Sequence, residues 1–242
     1  MTNRPRIIEI AGLGGTGKST LFRFLQRKNQ EIKIFALPKT CFVWSLTKRS
    51  PLWLPFWLQN HRTAGGFTRE QLISLGCLDA WLPYLRQSIS TNQNIAVLDP
   101  GSVYWLTKLR GFGMKTTCQS LYQSWWESKF TQWSSALDVI IWLDAPEELC
   151  LQRILARDEW HHAKYMEASD VLERFRGLRK SYEQIIDRMA SKGSKKIFYF
   201  RTDQVSTDQI IDQIISDVDL APLCQTQPCT TDPSKPALNS SI

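Results

Sequence analysis

Residues 12–19 read Gly12-Leu13-Gly14-Gly15-Thr16-Gly17-Lys18-Ser19. They constrain the chain more than any other stretch, because they match G-x-x-x-x-G-K-[ST] at every fixed position. The context also fits. Arg6 to Ala11 before them reads as an apolar strand, and Lys18 to Arg27 after them as an amphipathic helix. The residue types suit one chemistry. Glycines let the backbone curl so that several N–H groups point inward at phosphate oxygens, and a helix beginning near Lys18 adds its positive end. Lys18 is the point charge for the outer phosphates, Ser19 a hydroxyl ligand for Mg²⁺, and Thr20 a donor to the innermost phosphate. The bland alternative is a glycine-rich strand-to-helix turn with no ligand. Four glycines in six residues, followed by Lys18-Ser19, rarely arise that way. Gly12, Leu13, Gly14, Gly15, Thr16, Gly17, Lys18, Ser19 and Thr20 are therefore the expected nucleoside triphosphate site.

The rest of the chain repeats the alternation of short apolar runs with longer helical patterns, which marks an α/β fold. Further strands are read at Glu31 to Leu37, Asn94 to Leu98, Asp138 to Leu143 and Lys196 to Phe200. Val139-Ile140-Ile141-Trp142-Leu143 is apolar on both faces, as in the middle of a covered parallel sheet. Thr68 with Gln71 makes a capping box before a helix running towards Gln87, which Pro83 is expected to kink or split. Trp105 to Arg110 and Leu121 to Trp133 are helical. Pro146 suits a first helical position, with Glu147 and Glu148 complementing the dipole. The longest helix starts near Ser169 and places Val171, Leu172, Phe175, Leu178, Tyr182, Ile185, Ile186 and Met189 at a 3.6 period. Ser206 and Gln209 cap a last helix.

A length of 242 residues, with 43% hydrophobic and 22% charged, fits one globular domain and excludes a fibrous or wholly disordered chain. Residues 1–218 form that domain in this reading. Residues 219–242, rich in Pro, Thr, Ser and Gln, read as a disordered tail. No apolar run approaches the ~18–20 residues that span a bilayer, and Glu9 and Lys18 interrupt any N-terminal leader pattern. The six cysteines form no metal-ligand pattern, so reduced thiols in a cytoplasmic protein are expected. The net charge of +7 favours anionic partners without choosing among them.

A second acidic group is expected near the metal, at the carboxyl end of a neighbouring strand. Asp99 and Asp144 both qualify. Asp144 also suits a helix cap before Pro146, and Asp99 a turn before Pro100-Gly101; Asp99 follows the cleaner strand and is preferred. Arg153 and Arg157 stand four apart on a helix, which would place both on one face. The polar segment Asp158 to Lys164 follows them. Residues 153–166 thus read as a mobile cover whose cations neutralise a transferring phosphoryl group. A solvated helix face with an ordinary loop is the alternative. His161 and His162 find no third metal ligand.

The chain resembles the P-loop nucleotide kinases, in particular the thymidylate kinase-like and deoxynucleoside kinase group. The resemblance rests on Ile7 to Thr20, on Val97-Leu98-Asp99 with Ser102-Val103-Tyr104, and on Val139 to Glu148 running on to Arg153 and Arg157. It extends weakly, in order and spacing, to about Asp203. It implies a three-layer P-loop NTPase fold with a five-stranded parallel sheet covered by helices on both faces. It also implies ATP–Mg²⁺ as donor, a charged lid, and an adenine site near Arg201 to Asp203. Position 15 is glycine, so the chain looks like the type that carries its charge in the lid. One departure stands out: those kinases have Asp-Arg or Glu-Arg where this chain has Asp99-Pro100. Arg62, Arg69 and Arg110 are the candidates to replace that arginine.

Trp44, Trp53, Phe56 and Trp57 lie where such kinases build an acceptor pocket. Packing or a homodimer contact is the alternative, and Lys48 and Arg49 add a membrane-surface reading. Trp125, Trp126 and Trp133 suit the core or an interface, and Arg174, Arg176, Arg179 and Lys180 a solvated face. The expectation is an ATP-dependent phosphotransferase acting on a small-molecule acceptor. Lys18, Asp99, Arg153 and Arg157 are its catalytic residues, and Ser19 and Asp99 hold Mg²⁺. Neither nucleic acid nor a membrane is expected as partner. The rival readings are a nucleotide-binding accessory or switch protein and a kinase of nucleic-acid ends.

Overall fold

The structure, a computed structural model, describes residues 6–28, 33–38, 68–89, 95–111, 119–193 and 195–218. The aromatic segment around Trp44 to Trp57, Arg62 and the tail after 218 lie outside them. In chain order the elements are β1 Arg6–Ala11, α1 Lys18–Lys28, β2 Lys33–Phe35, α2 Arg69–Ser88, β3 Ile95–Leu98, α3 Ser102–Gly111 and α4 Gln119–Ala136. Then come β4 Val139–Asp144, α5 Glu147–Leu155, a short 3-10 turn His162–Tyr165, α6 Ala168–Ala190, β5 Lys196–Arg201 and α7 Thr207–Asp217.

The strands form a five-stranded sheet in the order β2-β3-β1-β4-β5, every pairing parallel. Ile8 is in register with Val97 on one side and Val139 on the other. Strand residues alternate between two cores, as a period of two requires. Ile7, Ala11, Ala96, Leu98, Ile140 and Trp142 face the layer that contains α2, α3, α4 and α6. Ile8, Ile10, Val97, Val139, Ile141 and Leu143 face α1 and α7. The molecule is thus an α/β three-layer fold, with β1 and β4 buried on both faces. The longest helix shows how patterning becomes packing. Val171, Phe175, Tyr182, Ile185, Ile186 and Met189 of α6 are buried, each stabilising the fold by roughly 1.5–3 kcal/mol on removal from water.

Several local readings need correction. Pro83 neither ends nor splits α2, which runs unbroken past it; one missing N–H in a helix held by ten buried residues is tolerated. Pro146 is the N-cap of α5, one position before the first helical residue. Arg179 is no solvated side chain. It pairs with Asp144 at 2.9 Å and Glu147 at 3.0 Å. Arg157 lies beyond the end of α5, so it does not share a helical face with Arg153. Trp126 and Trp133 are buried as expected.

Candidate functional site

The loop 12–17 leaves the carboxyl end of the central strand β1 and enters α1. Its glycines are required by geometry. Gly12 and Gly15 hold φ of 151° and 85°, where side chains are strained. A Cβ on Gly12 would collide with the Leu143 carbonyl, and one on Gly15 with that of Cys150. The loop therefore presses against the end of β4 and the start of α5. The Thr16 hydroxyl closes it by donating to the Leu13 carbonyl at 2.9 Å. Lys18 folds back over the loop. Its Nζ donates to the carbonyls of Gly12 at 2.8 Å and Leu13 at 2.7 Å. Burial lowers the Lys18 pKa to about 8, Asp99 opposes that shift and Arg157 adds to it. Ser19 is exposed at the start of α1.

Asp99 stands at the end of β3, held by its N–H to the Phe35 carbonyl at 3.1 Å. Burial raises its carboxyl pKa, and Lys18 pulls it back down. Asp99 and Lys18 are thus close enough to interact. Asp144 is employed otherwise. Besides the Arg179 pair, its Oδ2 accepts from the Tyr199 hydroxyl at 2.9 Å, and it makes no cap to α5. Of the two similar strand-end aspartates, one thus lies within electrostatic range of the loop lysine, while the other is engaged by α6 and β5.

Among the described residues, two cavities flank the loop. One, of about 250 Å³, is lined by Gly12, Leu13, Gly14 and Lys18 together with side chains of α2, α3, α6 and the 3-10 turn. The other, of about 180 Å³, is lined by Gly15, Thr16, Gly17 and Thr20 with Arg153, Arg157, Thr202 and Ile210. Arg153 spans this second cavity. Its Nη1 donates to the Gly15 carbonyl at 3.3 Å and to Thr202 Oγ1 at 3.0 Å, and its Nη2 to the Thr202 carbonyl at 3.0 Å. It thereby ties the loop to the turn after β5, where sequence resemblance put an adenine site.

The larger cavity holds two cations other than the arginines singled out in the sequence. Arg69 and Arg110 do not line it, but Lys108 of α3 and Arg174 of α6 do. Glu70 stands 3.5 Å from each cation, and Tyr104, Phe175 and Tyr182 add aromatic walls. Arg174 was therefore misread as part of a solvated face. Only its position across from Lys108, which no spacing rule shows, reveals it.

Sequence reasoning also missed Glu9. It lies fully buried in β1, its oxygens accepting from the Ser102 hydroxyl at 3.0 Å and the N–H groups of Val103 at 2.9 Å and Tyr104 at 3.1 Å. Those donors are the first turn of α3, where an anion is favoured. Burial still raises the Glu9 pKa to about 7. An acidic residue at an inward position of a central strand was the available signal. Among the described residues no cluster of three or more His, Cys, Asp and Glu could hold a metal.

A parallel sheet of this order, with a glycine loop leaving its middle strand and Lys18 folded over it, defines a P-loop α/β protein. Within that class the chain has a deoxynucleoside kinase-like fold. The deoxyadenosine kinase of M. mycoides with products dCMP and a flexible dCDP bound superposes with a TM-score of 0.57 at 18% identity, covering 88% of this chain and 99% of that one. Its dATP-bound structure gives 0.58 at 16% identity and its dCTP-bound structure 0.52 at 16%, with the same coverage. No family model and no curated protein matches the chain.

Proposed function

We propose that this chain is an ATP-dependent phosphotransferase acting on a small-molecule acceptor. The observation that carries the reading is the loop with a cavity on each side; in this reading the donor base and ribose would take the Arg153–Thr202 side and the acceptor the Lys108–Arg174 side. The transferring phosphoryl group then lies over Gly14 and Lys18, between the two. Kinases need little covalent chemistry from protein and much positioning and charge. Lys18 supplies an ammonium group at the outer phosphates, and the loop N–H groups hold their oxygens. Asp99 orients or deprotonates an acceptor hydroxyl. Arg157 brings a cation from the lid, residues 153–166, while Arg153 fixes the loop against the donor turn.

The residues present fit Mg²⁺ with bound nucleotide. That ion is usually held by one or two protein oxygens, substrate phosphates and water rather than by a protein cage. Ser19 and Asp99 would be those two oxygens, and the ion would neutralise charge on the phosphates. The structures that share the fold carry deoxynucleotides, so nucleosides and nucleotides head the acceptor panel, followed by sugars and lipid alcohols.

The test is a labelled-ATP transfer screen over that panel. A phosphorylated product is expected, with turnover falling about 10²–10³-fold in Lys18→Ala, the scale for one lost charge-stabilising donor. ATP-dependent turnover that survives Lys18→Ala at full rate would refute the assignment. Tight nucleotide binding with no product from any acceptor would instead favour an accessory protein.

A further inference from the structure

We propose that His161, neutral and protonated on Nε2, donates a hydrogen bond to the terminal phosphate of a bound nucleoside triphosphate. The inference deepens the reading above and rests on it.

The tautomer follows from the local fold. His161 is the N-cap of the 3-10 turn, and its Nδ1 accepts from the Ala163 N–H at 3.1 Å. A ring nitrogen that accepts carries a lone pair, so the single proton of the neutral ring sits on Nε2. The direction of that proton follows from the loop. A Cβ placed on Gly14 would lie 3.4 Å from Nε2, nearer than any other His161 atom. His161 lines the larger cavity together with Gly12, Leu13, Gly14 and Lys18. Nε2–H therefore faces the part of the loop where a phosphoryl group would pass from donor to acceptor.

Burial and the cations around the ring both favour its neutral form. Burial, His162, Arg157, Lys164 and Lys18 all lower the His161 pKa. A second proton would also abolish the bond from Ala163. A neutral donor stabilises an anionic oxygen without adding another cation to the site. With the outermost phosphate over Gly14, as the proposed function has it, the bond would distinguish triphosphate from diphosphate.

Two substitutions separate this role from the structural one. In His161→Asn the amide oxygen stands near Nδ1 and keeps the cap, but the side chain cannot reach the loop. In His161→Gln the amide reaches the Nε2 position and restores a donor. The measurement is calorimetric affinity of the full chain for Mg–ATP and for Mg–ADP, with thermal melting to show that the cap survives. His161→Asn should lose about 10-fold or more in ATP affinity, as expected for a hydrogen bond to a charged group, with ADP affinity unchanged. His161→Gln should regain most of it. An unchanged ATP-to-ADP ratio in His161→Asn, or equal losses for both nucleotides, overturns the proposal alone. A wild-type chain that binds neither nucleotide overturns the phosphotransferase reading and this inference with it.

Discussion

Glu9 shows how one residue can set both a site and a pH response. Its carboxylate sits beneath the turn that follows Asp99 and holds the first N–H groups of α3, so it steadies the helix that brings Tyr104 and Lys108 to the cavity. Burial pushes the native carboxyl up to about 7, from an ordinary value of 4.5. The folded state therefore binds this proton more tightly than the unfolded chain. The contribution of Glu9 is most favourable below 4.5 and declines as pH rises from 4.5 to 7, by roughly 3 kcal/mol in all. Above 7 it stays level. Glu9→Gln removes the titration, so the difference in unfolding free energy between wild type and variant should shift in the wild type's disfavour across that window. Parallel denaturation curves at pH 5, 6 and 7.5 would show that Glu9 does not titrate there. The pattern of β1 marks Glu9 as inward, but the partners that make it tolerable come from residues over ninety positions later.

Among the elements, the two helix starts with capping boxes were the most legible. The capping boxes of Thr68 with Gln71 and Ser206 with Gln209 are both formed, because each joins groups three residues apart and needs no distant partner. Thr68→Ala should cost about 1 kcal/mol, read as a lower midpoint in urea without a change in slope. No loss would mean that the cap is redundant with the packing of α2. Strand β1 has the bounds expected of it, and α1 gains one residue. Helix ends were less legible. The alignment of Arg153 with Arg157 assumed that α5 continues, and it stops at Leu155. Both arginines still line the smaller cavity.

At the scale of the whole molecule, the layers are joined by contacts that no local rule contains. Lys129 of α4 pairs with Asp79 of α2, both buried, and the Trp133 indole donates to the Leu78 carbonyl at 3.4 Å. Lys129→Met strands the Asp79 charge in the core and should cost about 3–5 kcal/mol. Adding Asp79→Leu should recover much of it, since a buried pair replaced by apolar groups is often neutral. Two losses that simply add would deny the pairing. The order of residues was enough to specify the phosphate loop, the alternation of strand and helix, and the burial of β4, because those properties depend on spacing over fewer than about twenty residues. Folding alone committed Asp144 to Arg179 and Tyr199, drew Arg174 and Lys108 into one cavity, and aimed His161 at Gly14. Each of those choices depends on which strand lies beside which, and periodicity along a chain carries no record of its neighbours in space.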